Sequence, residues 1–109
     1  MTVNELKDKL ALNTIVMPNA NREISGCYIG DLLSWVMGSA QTGDVWITIM
    51  SNINIVAVAT LCDTACILLA EGVTVSDDII TTATEKGINI LSSQKSAYIL
   101  AKEISELKI

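Results

Sequence analysis

Runs of apolar and β-branched residues, separated by breaks rich in glycine, proline and asparagine, extend along most of the chain. Such runs predict β-strands, and those that are apolar at nearly every position are typical of strands buried on both faces. Pro18, the only proline, follows the first run and is expected to end it. The pattern predicts five strands, at residues 14–17, 24–29, 45–50, 65–70 and 88–91.

Helices are predicted at both ends of the chain. Thr2 followed by Glu5 has the pattern of a capping box, which predicts a short first helix. Ser92 or Ser93 is expected to begin the last helix. The apolar residues of that last helix recur at helical spacing: Ala97, Leu100, Ala101, Ile104 and Leu107.

Two further helices are predicted between strands. Asp31 is expected to cap a helix with an apolar stripe at residues 32, 33, 36 and 37, and Gly38 is expected to end it. Ser76 is expected to cap a helix that ends at Lys86 and Gly87. Two aspartates in its first turn and a lysine in its last both complement the helix dipole.

Residues 53–61 are apolar at nearly every position and follow Asn52, a residue that commonly caps helices. A segment that is apolar all round predicts a buried helix. Its high content of β-branched residues leaves a strand as the alternative.

Strands and helices alternate from Val45 onward. This alternation predicts an α/β fold, with a mainly parallel sheet and helices on both of its faces. Because the chain contains no repeat, linker or low-complexity tract, we expect one small domain over residues 1–109.

The composition excludes several classes of protein. Half of the 109 residues are apolar and 17% are charged, the opposite of a disordered chain. The net charge is −5 and the seven basic residues form no stripe, so we expect no nucleic acid polymer and no anionic membrane surface as a partner. The apolar content exceeds what the core of a small monomer needs, which indicates that some of the apolar residues lie at an interface with another chain.

We expect a cytoplasmic location. Residues 1–12 are too polar for a signal peptide, and no stretch reaches the roughly 20 apolar residues of a membrane span. The three cysteines, Cys27, Cys62 and Cys66, are an odd number that suits a reducing compartment better than a disulfide framework.

Three tracts of the chain are distinctive: Gly-Cys-Tyr-Ile-Gly-Asp-Leu-Leu-Ser at 26–34, Gly-Asp-Val-Trp-Ile-Thr at 43–48 and Asn-Ile-Val-Ala-Val-Ala at 54–59. Together they resemble the stand-alone DRTGG-domain proteins of anaerobic bacteria. The stretch from 66 to 72, continuing to 92, also resembles the N-terminal domain of HPr kinase/phosphorylase. The asparagine-led tract at 54–59 is the most specific of these; the others share the general pattern of α/β proteins.

The resemblance implies a small α/β sandwich of the HPr kinase N-terminal-domain type, often dimeric, with a regulatory or architectural role. Such domains occur alone or attached to phosphotransacetylase and to CBS-containing pyrophosphatases, so a partner enzyme of anaerobic metabolism is implied. This chain departs from the family pattern in two ways. The Asp-Arg-Thr-Gly-Gly string is absent, and the chain has no histidine, whereas relatives often carry one just before the tract at 55–59.

We expect no enzyme, no cofactor and no metal site. A kinase needs a phosphate-binding loop, and the Gly-x-x-x-x-Gly-Lys-Ser/Thr pattern is absent. Without histidine the cysteines lack their usual base. The three cysteines with Asp63 nearby are only a weak match to a structural zinc site, which usually has four ligands. Cys62 and Cys66 are predicted to be small buried apolar side chains, while the role of Cys27 is left open.

The carboxyl ends of the predicted parallel strands are the expected place for a ligand. Two of these ends lead into predicted helices, whose free N–H groups attract anions. The alternative is that the polar residues there only cap helices. The candidate ligand-binding residues are Thr48, Ser51, Asn52, Glu71, Gly72, Ser92 and Ser93.

Two functions stay open from the sequence. One is a homodimeric regulatory or interaction module that acts by contact with a partner enzyme. The other is a sensing domain that binds a small anion or nucleotide at the strand ends. Dimerisation is predicted because a small monomer cannot easily cover the helix at 53–61 on every side. Trp46 is predicted to lie in the core, and Trp35 either packs inside or faces a partner.

Overall fold

A five-stranded sheet forms the middle layer of the computed structural model, which describes all 109 residues. Its strand order is β1-β5-β4-β3-β2, in which β2 to β5 are parallel and β1 pairs antiparallel with β5. All five predicted strands are present. Their bounds are β1 Asn13–Val16, β2 Gly26–Ile29, β3 Asp44–Thr48, β4 Cys66–Leu69 and β5 Ile90–Ser92.

Five helices cover the two faces of the sheet, as predicted. They are α1 Val3–Lys9, α2 Leu33–Ser39, α3 Asn54–Cys62, α4 Asp77–Lys86 and α5 Ala97–Glu106. The apolar residues of α1 and α5 pack in one core cluster, and those of α2, α3 and α4 pack in the other. The chain therefore forms three layers, with β4 and β5 followed by helices on opposite faces.

The central strand β3 shows why the buried runs contain so few polar positions. Val45 and Ile47 point to the α1–α5 cluster, and Trp46 between them points to the cluster of α2, α3 and α4. Both faces of a strand in the middle layer are buried, so alternation of polar and apolar residues disappears. Trp46 is fully buried as predicted, and its ring N–H donates to the Gly30 carbonyl oxygen at 2.9 Å.

The predicted capping box of α1 is confirmed. The Thr2 hydroxyl accepts from the Glu5 N–H, and the Glu5 carboxylate accepts from the Thr2 N–H. Three other predicted helix ends are wrong. Leu32 precedes α2 in the cap position that was expected of Asp31, and Gly38 lies inside α2 rather than ending it. The helix α5 begins after Ser96, whose hydroxyl accepts from the Ile99 N–H, and not after Ser92 or Ser93.

The segment at 53–61 is a helix and not a strand, but the prediction that it is buried all round is wrong. Ile55, Val56, Val58 and Ala59 are buried against the sheet and the neighbouring helices. The outward side, which includes Ile53, Ala57 and Leu61, is exposed. A segment that is apolar at nearly every position is expected to avoid water. The pattern does not show which sides of the helix are covered by the rest of the same chain.

The longest helices, α4 and α5, have ten residues each, and none of the helices has the length and apolarity to cross a membrane.

Candidate functional site

The carboxyl ends of β2, β3, β4 and β5 lie at one edge of the sheet because the four strands are parallel. All seven candidate residues lie along this edge: Thr48, Ser51 and Asn52 after or at the end of β3, Glu71 and Gly72 after β4, and Ser92 and Ser93 at the end of β5. The structure thus places them on a common edge, where hydrogen bonds form two separate groups: one includes Glu71, Gly72 and Ser93, and the other includes Thr48 as its only candidate residue.

The first group joins the loops that follow β4 and β5. The Gly72 N–H donates to the Ser93 carbonyl oxygen and the Glu71 N–H donates to the Lys95 carbonyl oxygen, each at 2.9 Å. Glu71 and Gly72 both have left-handed backbone conformations, with φ of 58° and 72°. A Cβ atom on Gly72 would lie 2.5 Å from the Gln94 Oε1 atom. Glycine is needed there because the turn is left-handed and the Gln94 side chain lies against it.

The two joined loops lead to opposite faces of the sheet. The chain turns to α4 on one face after β4, and to α5 on the other face after β5. Crevices for ligands form at such points in open α/β sheets. Here the two loops hydrogen-bond directly to each other, and the exposed Gln94 side chain of one loop lies against Gly72 of the other.

The second group fixes the end of β3. Asp31, after β2, accepts through its Oδ1 atom from the Thr48 hydroxyl at 2.9 Å and from the Ile49 N–H at 3.0 Å. The Thr48 hydroxyl, 2% exposed as a residue, accepts in turn from the Met50 N–H at 3.1 Å. Asp31 was absent from the predicted site. The available signal is an acidic side chain shortly after a strand, but the same signal is typical of a helix cap.

The capping alternative is met only in part, because Ile53, and not Asn52, is the N-cap residue of α3 and makes no side-chain cap bond. The Asn52 Oδ1 atom accepts from the N–H of Asn54 at the start of α3, at 2.9 Å. Ser93 instead closes a small turn, because its hydroxyl accepts from the Lys95 N–H at 3.1 Å. Two carboxylates, those of Asp31 and Glu71, also lie along this edge, and they repel an anion that approaches it.

The three thiols are poor nucleophiles. Burial, followed by the neighbouring Cys27, raises the pKa of Cys66 to about 12. Desolvation by the surrounding protein atoms, followed by the charge of Asp44, raises the pKa of Cys27 to about 11, although the residue is exposed overall. The same two causes raise the pKa of Cys62. Thiols with raised pKa values stay protonated near neutral pH, and only the thiolate attacks.

No metal centre is formed by the histidine-, cysteine- or carboxylate-bearing side chains. Cys66 is buried as predicted, whereas Cys62 is half-buried, with its Sγ atom 3.6 Å from the Val36 carbonyl oxygen. The hydrogen bonds at the carboxyl edge hold its loops in place.

Comparison with known proteins gives a family. The sequence profile of the DRTGG domain matches residues 28–107. The chain belongs to the DRTGG domain family. None of the proteins with curated descriptions matches it.

The fold of this DRTGG domain has been seen in a regulatory protein. A similar solved structure contains the CBS and DRTGG domains of the regulatory region of Clostridium perfringens pyrophosphatase, complexed with the activator diadenosine tetraphosphate. The TM-score is 0.74 at 14% sequence identity, which shows the shared fold. The match covers 94% of this chain and 45% of that one, so this chain spans less than half of its relative's length. Similarity to HPr kinase stays a prediction.

The surface of this DRTGG domain carries ten exposed large apolar side chains, and five of them lie on or directly before α2 and α3. Trp35 is 67% exposed and Leu61 is 69% exposed. Of the two positions that the sequence left open for Trp35, inside the core or facing outward, the single chain has the outward one. The five are Leu32, Trp35, Met37, Ile53 and Leu61, and we call them the α2–α3 surface.

Two clefts open on the molecule, and neither is lined by a candidate ligand-binding residue. The larger, of about 460 Å³, lies between α3 and α4. The smaller, of about 280 Å³, lies between the edge strand β2 and α5, beside Cys27. Neither cleft can be predicted from the sequence, because each is formed by residues that are far apart along the chain.

Proposed function

We propose that this DRTGG domain is a non-catalytic regulatory or interaction module, which pairs with a second copy and acts by contact with a partner enzyme. The observation that carries the proposal is the exposed α2–α3 surface. Both core clusters are complete without these side chains, so folding of the single chain does not account for them.

The α2–α3 surface has the character of an interface. Neither α2 nor α3 contains a charged residue, although the chain as a whole carries a net charge of −5. Contiguous exposed apolar residues of this kind mark sites of protein contact. A two-fold axis would bury the same neutral surface on both copies, while the acidic remainder of each copy keeps the pair soluble.

A role without catalysis is supported by the absence of a paired nucleophile and base. All three thiols have raised pKa values, and the chain has no histidine. A partner enzyme is supported by the relative from C. perfringens, in which a DRTGG domain belongs to the regulatory region of a pyrophosphatase.

Substitution on the α2–α3 surface tests the proposal. Light scattering is expected to give a dimer for the unchanged protein and a monomer for the double variant Trp35→Gln with Leu61→Gln. Tyr98→Gln is the matched control, because Tyr98 is 73% exposed but lies on α5, on the opposite face of the sheet. Equal dimer fractions in the double variant and the control would contradict the assigned surface.

Nucleotide binding at the carboxyl edge is the second candidate function. It is supported by the nucleotide activator bound to the regulatory region of the relative, and by the position of the seven candidate residues along one edge. If the site binds phosphate or an adenine nucleotide, the melting temperature rises with the logarithm of ligand concentration.

The variant Asn52→Leu is expected to abolish that rise, since it removes the polar side chain at the start of α3. Diadenosine tetraphosphate, ATP and inorganic phosphate are the ligands to compare. The absence of any rise up to millimolar concentrations would exclude the sensing function and leave the interaction module.

A further inference from the structure

The larger cleft combines apolar walls with a lysine that has no ionic partner. Lys86, in the last turn of α4, is one of its lining residues, and no carboxylate lies within salt-bridge distance of its ammonium group. Lys9 and Lys108 also lack a carboxylate partner, but neither lines a cleft.

The walls of the cleft are formed by the facing sides of α3 and α4. Two of its hydroxyls are already engaged, because Thr60 donates to the Val56 carbonyl oxygen and Thr82 donates to the Asp78 carbonyl oxygen, each at 2.8 Å. Lys86 is the only charged group of the lining. The apolar lining residues are Ile53, Val56, Ala57 and Leu61, and Asn54 completes the rim.

We propose that the α3–α4 cleft binds an amphipathic anion, meaning a molecule with an apolar body and a single carboxylate or phosphate group. The anionic group pairs with the Lys86 ammonium, and the apolar body lies against the α3 wall. The volume of about 460 Å³ falls within the roughly 300–1,000 Å³ typical of small-molecule sites. Charge complementarity selects an anion, because the cleft presents one free cation and no carboxylate.

The apolar part of the ligand is essential to the inference. The net charge of −5 repels small anions from the protein as a whole, so one lysine cannot hold inorganic phosphate alone. Burial of apolar ligand surface against the α3 wall supplies the remaining free energy of binding. The cleft therefore differs in ligand class from the carboxyl edge, where phosphate itself is the expected ligand.

This inference does not rest on the proposed function. The cleft shares Ile53 and Leu61 with the α2–α3 surface, but its Lys86 and Thr82 lie on α4. Trp35 and Met37 lie on α2, the neighbour of α3 on its other side, and do not line the cleft. The single variant Trp35→Gln, which leaves the cleft lining unchanged, can therefore bind the ligand even if it no longer dimerises, and a Lys86→Met protein that fails to bind the ligand can still dimerise.

Amide NMR titration of the full chain with octanoate tests the inference. The largest shifts are expected for residues 53–61 and 82–86. Octanol, which has the same length of apolar chain but no charge, should bind more weakly. Lys86→Met should weaken octanoate binding about tenfold or more, since a hydrogen-bonded ion pair is lost. Lys9→Met removes an equal charge from α1, on the opposite face, and should leave the affinity within about twofold.

Several results would overturn the inference. Shifts confined to the carboxyl edge or to the cleft beside Cys27 would place the ligand elsewhere, and no saturable shift up to millimolar octanoate would exclude a site. Equal affinity of Lys86→Met and the unchanged protein would remove Lys86 from recognition. Shifts of Thr82 and Lys86, which line the cleft but lie outside the α2–α3 surface, on simple dilution without ligand would show that a second copy occupies the cleft instead.

Discussion

Substitution of three glycines by alanine can separate two energetic costs, that of a left-handed backbone conformation and that of a close side-chain contact. Gly72 and Gly87 share a φ of 72°, but only Gly72 has another side chain, that of Gln94, within reach of an added Cβ. Gly38 lies in α2 without a left-handed φ and with open space around it. The three positions therefore predict three different responses to alanine.

We expect Gly72→Ala to lower the free energy of unfolding by about 1–3 kcal/mol and Gly87→Ala by about 1–2 kcal/mol. Gly38→Ala should raise it by about 0.5–1 kcal/mol, because alanine restricts the unfolded chain and favours the helix. Urea denaturation at one protein concentration measures all three. A loss of stability in Gly38→Ala, or none in Gly72→Ala, would contradict the backbone assignments.

The buried thiol of Cys66 makes stability depend on alkaline pH. Burial raises its pKa from 9.0 in the unfolded chain to about 12 in the folded protein. A raised pKa means that the folded state retains a proton that the unfolded state releases, so stability is full below about pH 9 and falls as the pH approaches 12.

Cys66→Ala should therefore flatten the alkaline part of the stability curve, even though the smaller side chain lowers stability at every pH. Urea denaturation of the variant and the unchanged protein at stepwise increasing pH gives the comparison. If the free energy of unfolding falls equally steeply above pH 9 in the variant and in the unchanged protein, the Cys66 thiol titrates equally in the folded and unfolded states.

At the scale of elements, the structure decides which serine begins α5. The Ser96 hydroxyl accepts from the Ile99 N–H at 3.3 Å, whereas the Ser76 hydroxyl before α4 makes no bond to a helix N–H and contacts the Asp78 carboxylate instead. Ser96→Ala should cost about 0.5–2 kcal/mol of stability, and Ser76→Ala less than half of that cost. Urea denaturation of both variants tests the assignment, and a reversed order would contradict it.

Much of the element pattern could be predicted from the sequence, because a strand buried on both faces must be apolar at every position. Trp46 and its neighbours in β3 are the clearest case. The position of β1 could not be predicted in this way, since its antiparallel pairing with β5 joins residues at opposite ends of the chain. The start of α5 was missed because Ser92, Ser93 and Ser96 are equally good caps by residue type.

For the candidate site, the sequence could predict only the edge of the sheet on which the residues lie, and not the contacts among them. Parallel strands fix where Thr48, Glu71 and Ser93 lie, but the bonds that organise the edge join distant residues. Asp31 and Thr48 are 17 positions apart, and the acidic residue could equally have capped the next helix. Lys86 and the α3 wall meet only through the packing of two helices, so no local pattern could indicate that cleft.

At the scale of the whole molecule, exposure of the α2–α3 surface is the central fact. The structure corrects the prediction that the segment at 53–61 is buried on every side, and it leaves Ile53 and Leu61 among the exposed apolar residues. The apolar excess of the composition is therefore not all internal. An uncharged surface on a protein with a net charge of −5 is the part of the molecule that association would bury at least electrostatic cost.

Sedimentation equilibrium of the unchanged protein at micromolar concentrations tests this account most directly. The account predicts a species of twice the chain mass of 11.7 kDa, in reversible equilibrium with the monomer on dilution. A species that stays at 11.7 kDa throughout the micromolar range would show that the α2–α3 surface does not pair two copies, and it would contradict the proposed homodimeric module.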